Sequence, residues 1–123
     1  MSMHSMCVVV RRPPYGREDA FAGLRLALSA VSHGLDAVVV LRGDGVLSAL
    51  RGQMSEAIGM PSNESVVRDL LEMGAEVWAE DTALAERGLA PGDLVEGVSM
   101  GDAARLDGLI LSRDTCTPLW GGF

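Results

Sequence analysis

AVVVL, residues 37–41, is an unbroken apolar run with Gly34 before it and Arg42-Gly43-Asp44-Gly45 behind it. Such a run is strand-length, and it is apolar at odd and even positions alike. It therefore has no solvent side and reads as a strand buried on both faces of a sheet. MCVVV at residues 6–10 repeats the pattern, with RRPPYG at 11–16 as its stop. Between the two runs the period changes. Phe21, Leu24, Leu28 and Val31 recur at helical spacing, with Ala20 and Ala27 beside them. Glu18 and Asp19 fall in the first turn, where the helix dipole favours acids, and Gly34 stands just past the end.

Towards the C-terminus the same alternation continues. A short apolar stretch at 46–50 precedes a helix opened by Pro61-Ser62, with Ser62 as its N-cap. Val66, Val67, Leu70 and Leu71 give that helix one apolar face, and Gly74 ends it. AEVWA at 75–79 predicts a third strand, and 81–87 a short helix with Asp81 as N-cap and Gly88 as stop. Residues 94–98 read as a short strand or extended segment. Ser99 and Asp102 suggest a capping box for a helix through Leu106, LIL at 109–111 the last strand, and DTCTPLWGGF at 114–123 a tail.

Strands separated by helices imply parallel pairing through right-handed crossovers. The expected fold is α/β: one domain over 1–123, three layers (α/β/α), with a four- to five-stranded, mainly parallel sheet of flavodoxin-like topology. Ligands of such sheets meet the carboxyl ends of the strands. That rule places RRPPYGRE, RGDG, EDTA and the segment after Leu111 on one edge.

Composition narrows the function classes. The hydrophobic fraction is 48% but aromatics are only 4%, so the core must come from Val, Leu, Ala and Met. A net charge of −7 disfavours nucleic-acid binding, because it repels phosphate backbones. No apolar run reaches the ~18–20 residues of a membrane helix, and MSMHSM lacks the features of a secretion signal. Two cysteines without such a signal make no disulfide framework, so a cytoplasmic chain with reduced thiols is expected.

Several residues on the expected edge carry chemistry. Cys116 is either a sulfur acceptor or a partly covered tail residue; Arg113 would lower its pKa and Asp114 raise it. Cys7 reads as a small buried hydrophobe. Tyr15, Gly16 and Arg17 precede a helix N-terminus, where exposed N–H groups with Arg11, Arg12 and Arg17 suit a small anion; the alternative is a rigid Pro-Gly loop. Asp44 sits in a glycine-flanked turn too short for a phosphate loop. Glu80 and Asp81 are adjacent carboxylates that could bind a metal or act as an acid–base pair; no second ligand cluster lies nearby and Asp81 reads more simply as an N-cap, so no metal and no cofactor is expected. Met54, Met60, Met73 and Met100 read as core or interface filler, and Trp78 and Trp120 as subunit-contact or half-buried core residues.

Four stretches resemble the DsrE/DsrF-like family, which includes the Tus sulfur-relay subunits. PYGREDAFAGLRLALSA (14–30) is similar to its opening loop and first helix, and VVVLRGDGVLSALRGQ (38–53) to its second strand and Gly/Asp turn. LLEMGAEVWAEDTALAERGL (70–89) is similar to its third strand and loop, and DLVEGVSMGDAARL (93–106) to the segment before the last strand. The resemblance implies a trimeric or hexameric assembly, of one chain or with related subunits. It also implies a sulfur-carrying cysteine eight residues before the glycine of the Arg87-Gly88 pair, and in many members a second one three residues further on. Those positions hold Glu80 and Ala83 here. A carboxylate cannot carry a persulfide, which requires a polarizable thiolate. The expected function is therefore a non-catalytic or regulatory subunit binding a partner or small ligand at the strand edge. The alternatives are a sulfur carrier using Cys116 and a module for a small anionic ligand.

Overall fold

The two β-branched runs become neighbours in the middle of one sheet. In the computed structural model, which describes residues 5–11, 19–52, 63–112 and 115–118, β1 (Ser5–Val10) pairs in parallel with β2 (Asp36–Leu41), Val8 opposite Val39. Helix α1 (Asp19–Ser32) connects them. A 3₁₀ helix (Gly43–Ala49) follows β2, then α2 (Asn63–Glu72), β3 (Glu76–Glu80) and α3 (Asp81–Glu86). A 3₁₀ turn (Pro91–Asp93), β4 (Ser99–Gly101), α4 (Ala103–Leu111) and β5 (Thr115–Pro118) complete the order. The five strands lie in the sequence β4-β3-β2-β1-β5, and every pairing is parallel. The expected α/β/α layering holds.

The alternation of side chains along each strand divides the core in two. Val8, Val10, Val39, Leu41, Val77 and Ala79 point to the face packed by Leu24, Ala27, Val67 and Leu70 of α1 and α2. Cys7, Val9, Val38 and Val40 point to the opposite face, where Leu106 of α4 is fully buried among them. Among the described residues, no helix is long and apolar enough to cross a membrane.

Four expectations near the C-terminus are corrected. LIL at 109–111 belongs to α4 rather than to a strand. Leu106, Leu109 and Ile110 recur at i, i+3, i+4 and pack on one sheet face, and a short apolar run alone does not distinguish the two states. Asp102 by itself caps that helix, its Oδ1 accepting from the Arg105 N–H at 2.8 Å, while Ser99 belongs to β4. The extended segment at 94–98 contributes only an antiparallel bridge between Leu94 and Leu50; the paired strand starts at Ser99. The last strand lies in the expected tail, at Thr115–Pro118, so Cys116 stands inside the sheet rather than on its carboxyl rim.

In RGDG the two glycines serve different needs. Gly43 has φ +53°, a conformation that costs other residues steric strain. Gly45 instead lies against the end of β1: a Cβ there would stand 2.0 Å from the Val10 carbonyl oxygen.

Candidate functional site

The register of β2 and β3 builds the strand edge. Leu41 pairs with Ala79, so the residues that follow them, Arg42 and Glu80, leave the sheet side by side. Glu80 ends β3 and occupies the N-cap position of α3 without capping it. Its carboxylate is used otherwise. Oε2 accepts from Arg42 Nε at 3.4 Å and Nη2 at 3.2 Å, and Oε1 accepts from the Gly43 N–H at 3.1 Å. Arg42 Nη1 also donates to Asp107 Oδ1 of α4 at 2.8 Å. One guanidinium thus ties the loop after β2 to the end of β3 and to the helix on the second face. The Arg42 and Glu80 side chains retain 15% and 16% exposure, so the pair is shielded but not dry.

A second pair stands alongside. Arg87 donates to Asp44 Oδ1 from Nε at 3.2 Å and from Nη2 at 2.7 Å, and its Nη1 reaches the Ala83 carbonyl at 2.9 Å. This bridge joins the 3₁₀ helix to the end of α3. The Asp44 side chain is 55% exposed, so the bridge contributes little stability and mainly fixes geometry.

The Arg42 pKa is raised above the usual arginine value. Burial acts to lower it, but hydrogen bonds to Asp107 and Glu80, with the charges of both, more than offset that. A raised folded-state pKa means the stabilisation is fully present below the unfolded value and is lost only as pH climbs through the folded one, in strong alkali. Arg42→Met should therefore destabilise the protein by about 1–2 kcal/mol, as it strands Glu80 with one backbone donor. Urea titrations should give the same loss at neutral and mildly alkaline pH.

Of the expected site residues, the structure sets Asp44 and Glu80 in neighbouring ion pairs. Asp81 is the first residue of α3 rather than its N-cap; it is exposed, and its Oδ1 accepts from the Thr82 N–H at 2.6 Å. Ala83, the second sulfur position of the resemblance, is buried in the main core. Cys116 is remote from this edge, level with Cys7. Tyr15, Gly16 and Arg17, like Arg12, Ser62, Met54, Met60 and Trp120, lie outside the described residues. Arg11 is exposed directly after β1. Trp78 is half-buried on the second face, with the Arg105 guanidinium 5.1 Å from its ring centroid. Met73 and Met100 are exposed rather than core residues.

Sequence reasoning placed Arg42 on the edge within RGDG but not its pairing with Glu80, and it missed Arg87 and Asp107. For Arg42 the available signal was its place directly after β2, level with the acid that ends β3; Arg87, at the end of α3, and Asp107, within α4, carried no such signal. As built, both guanidinium groups are occupied by carboxylates, so this part of the edge is not an anion cradle. Among the described residues, no three His, Cys, Asp or Glu side chains gather as a metal site.

An all-parallel sheet with ionic loops gathered at its carboxyl rim defines an α/β domain of the doubly wound class. The chain belongs to the DsrE/DsrF-like family, whose model matches residues 4–116. It is 36% identical to an uncharacterized protein of Methanopyrus kandleri over 93 residues, 76% of this chain and 75% of that one. It is 32% identical to the intracellular sulfur oxidation protein DsrF of Allochromatium vinosum over 87 residues, 70% of this chain and 64% of that one. The crystal structure of the YchN protein from Escherichia coli superposes with a TM-score of 0.85 at 28% identity, covering 94% of this chain and 99% of that one.

Proposed function

We propose that this protein is a sulfur-relay-type subunit that does not carry sulfur on the loop after β3, and that acts as a non-catalytic or regulatory member of a trimer or hexamer. The observation that carries this reading is Glu80. At the position where the family resemblance places a sulfur-bearing cysteine stands a carboxylate, clamped by Arg42 and the Gly43 amide. A clamped carboxylate holds two loops together but offers no thiolate to a sulfur donor. The kinship with DsrF supports the sulfur connection. The exposed part of the rim, with Asp44 and Asp81, is where a partner or small ligand would dock.

The rival reading, sulfur carriage by Cys116, has less support, because that residue lies within the β5 ladder rather than on a loop at the rim. One experiment separates the two. The protein is incubated with a polysulfide donor, and its intact mass and light-scattering mass are recorded. No added sulfur on a trimer or hexamer is the expected result. A monomer overturns the assembly, and a sulfur adduct lost in Cys116→Ser overturns the non-carrier reading.

A further inference from the structure

On the second face of the sheet, α4 turns small residues outward: Ala104 and Gly108 within the helix and Ser112 at its C-cap, at successive i+4 steps. A cavity of about 410 Å³ opens over them, with Arg105 and Leu109 as its other described walls. That volume is in the range of small-molecule sites, roughly 300–1,000 Å³. The helix rises roughly 10 Å from Arg105 to Ser112, so the hollow runs along α4 rather than into the core. Gly108 keeps it open, since a Cβ there would meet nothing within 4 Å. Arg105 is the charge at one end. In a chain of net charge −7, the acids around it are held by other donors. Glu76 Oε1 accepts from the Trp78 indole N–H at 3.0 Å, Asp102 Oδ1 from the Arg105 backbone N–H at 2.8 Å, and Asp107 Oδ1 from Arg42 at 2.8 Å. The ion pairs among the described residues engage Arg42, Arg68 and Arg87, and none engages Arg105. Its guanidinium lies instead over the Trp78 ring, 5.1 Å from the centroid. An aromatic face orients a guanidinium without neutralising it, so the N–H fork keeps donors to spare.

We propose that this hollow binds a small organic acid with a flat apolar body, its single anionic head on the Arg105 guanidinium and its body over Ala104, Gly108 and Leu109. Charge complementarity selects the head: the guanidinium fork matches the two oxygens of a carboxylate or sulfonate. The walls select the body, because Ala104, Gly108 and Leu109 offer no hydrogen-bonding side chain. At the far end the Ser112 hydroxyl already donates to the Leu109 carbonyl at 2.8 Å, so that end calls for no second acid group. A polyphosphate would bring more negative charge than one guanidinium matches in an acidic chain. The site uses neither Glu80 nor sulfur chemistry, so it stands apart from the sulfur-relay reading of the rim.

The test titrates the full chain by isothermal calorimetry with 2-naphthoate, and with 2-naphthamide as its uncharged counterpart. The expected result is saturable binding of one naphthoate per chain with a Kd of about 1 mM or tighter, and binding of the amide about tenfold weaker. Arg105→Gln should weaken naphthoate about tenfold and abolish the preference for acid over amide. That variant keeps the helix cap, which uses the backbone N–H. Gly108→Leu should fill the hollow and abolish binding of both probes without lowering the melting temperature, as its side chain enters open space. Should Gly108→Leu not fold, the acid–amide difference and its loss in Arg105→Gln decide. A parent chain that binds no naphthoate, equal binding of acid and amide, or a folded variant that binds as the parent does would each overturn the proposal.

Discussion

Gly45→Ala should destabilise the protein by about 3 kcal/mol or more, at or beyond the upper end of overpacking costs. The added methyl carbon would lie 2.0 Å from the Val10 carbonyl oxygen, 2.7 Å from its carbon and 3.2 Å from the Arg11 nitrogen. All three are backbone atoms, so no side chain can rotate away. Val10 is further fixed by its register with Leu41, and its oxygen already accepts from the Arg42 N–H at 2.9 Å. Relief requires moving either the end of β1 or the 3₁₀ helix, and the second choice carries Arg42 away from Glu80. Urea denaturation followed by circular dichroism should show the loss, with a melting temperature lower by roughly 10 °C or more. Gly108→Ala is the contrast. It lies within α4, where an added Cβ meets nothing within 4 Å. Its helix propensity should raise stability by about 0.5–1 kcal/mol. A Gly45→Ala protein as stable as the parent would mean that the close approach to Val10 is wrong.

Leu106→Ala should cost about 2–5 kcal/mol, the range for removing a buried leucine. Leu106 is the one fully buried side chain of α4, and Cys7, Val9, Val38 and Val40 line its socket. Leu109 and Ile110 are only partly covered, so they cannot hold the helix in its place. Loosening α4 also withdraws Asp107 from Arg42. The loss in Leu106→Ala and that in Asp107→Asn should therefore be less than additive in a double-mutant cycle. Leu111→Ala, at a position 85% exposed, should change stability by less than about 0.5 kcal/mol. Equal losses at 106 and 111 would contradict the packing of this face.

The central strands were legible because burial on both faces leaves an uninterrupted apolar run, as in MCVVV and AVVVL. The margins carry no such mark. SMG in β4 is too short to show a period, and TCTP in β5 is mostly polar and ends in proline. LIL was misread because length alone does not separate a strand from the last turn of a helix. At the rim, Glu80 and Asp44 could be located from the ends of their strands. Their partners could not, for Arg42 lies 38 residues from Glu80 and 65 from Asp107, and only the folded sheet closes those separations.

The shortness of the two outermost strands has a bearing on how copies of this protein would meet. β4 spans three residues and β5 four, with Pro118 lacking an amide donor at the end of β5. Such brief, interrupted borders give a neighbouring chain few main-chain groups to zip onto, a common guard against runaway fibre growth. Along the described residues of these two borders, a sheet shared between molecules would find little to pair with.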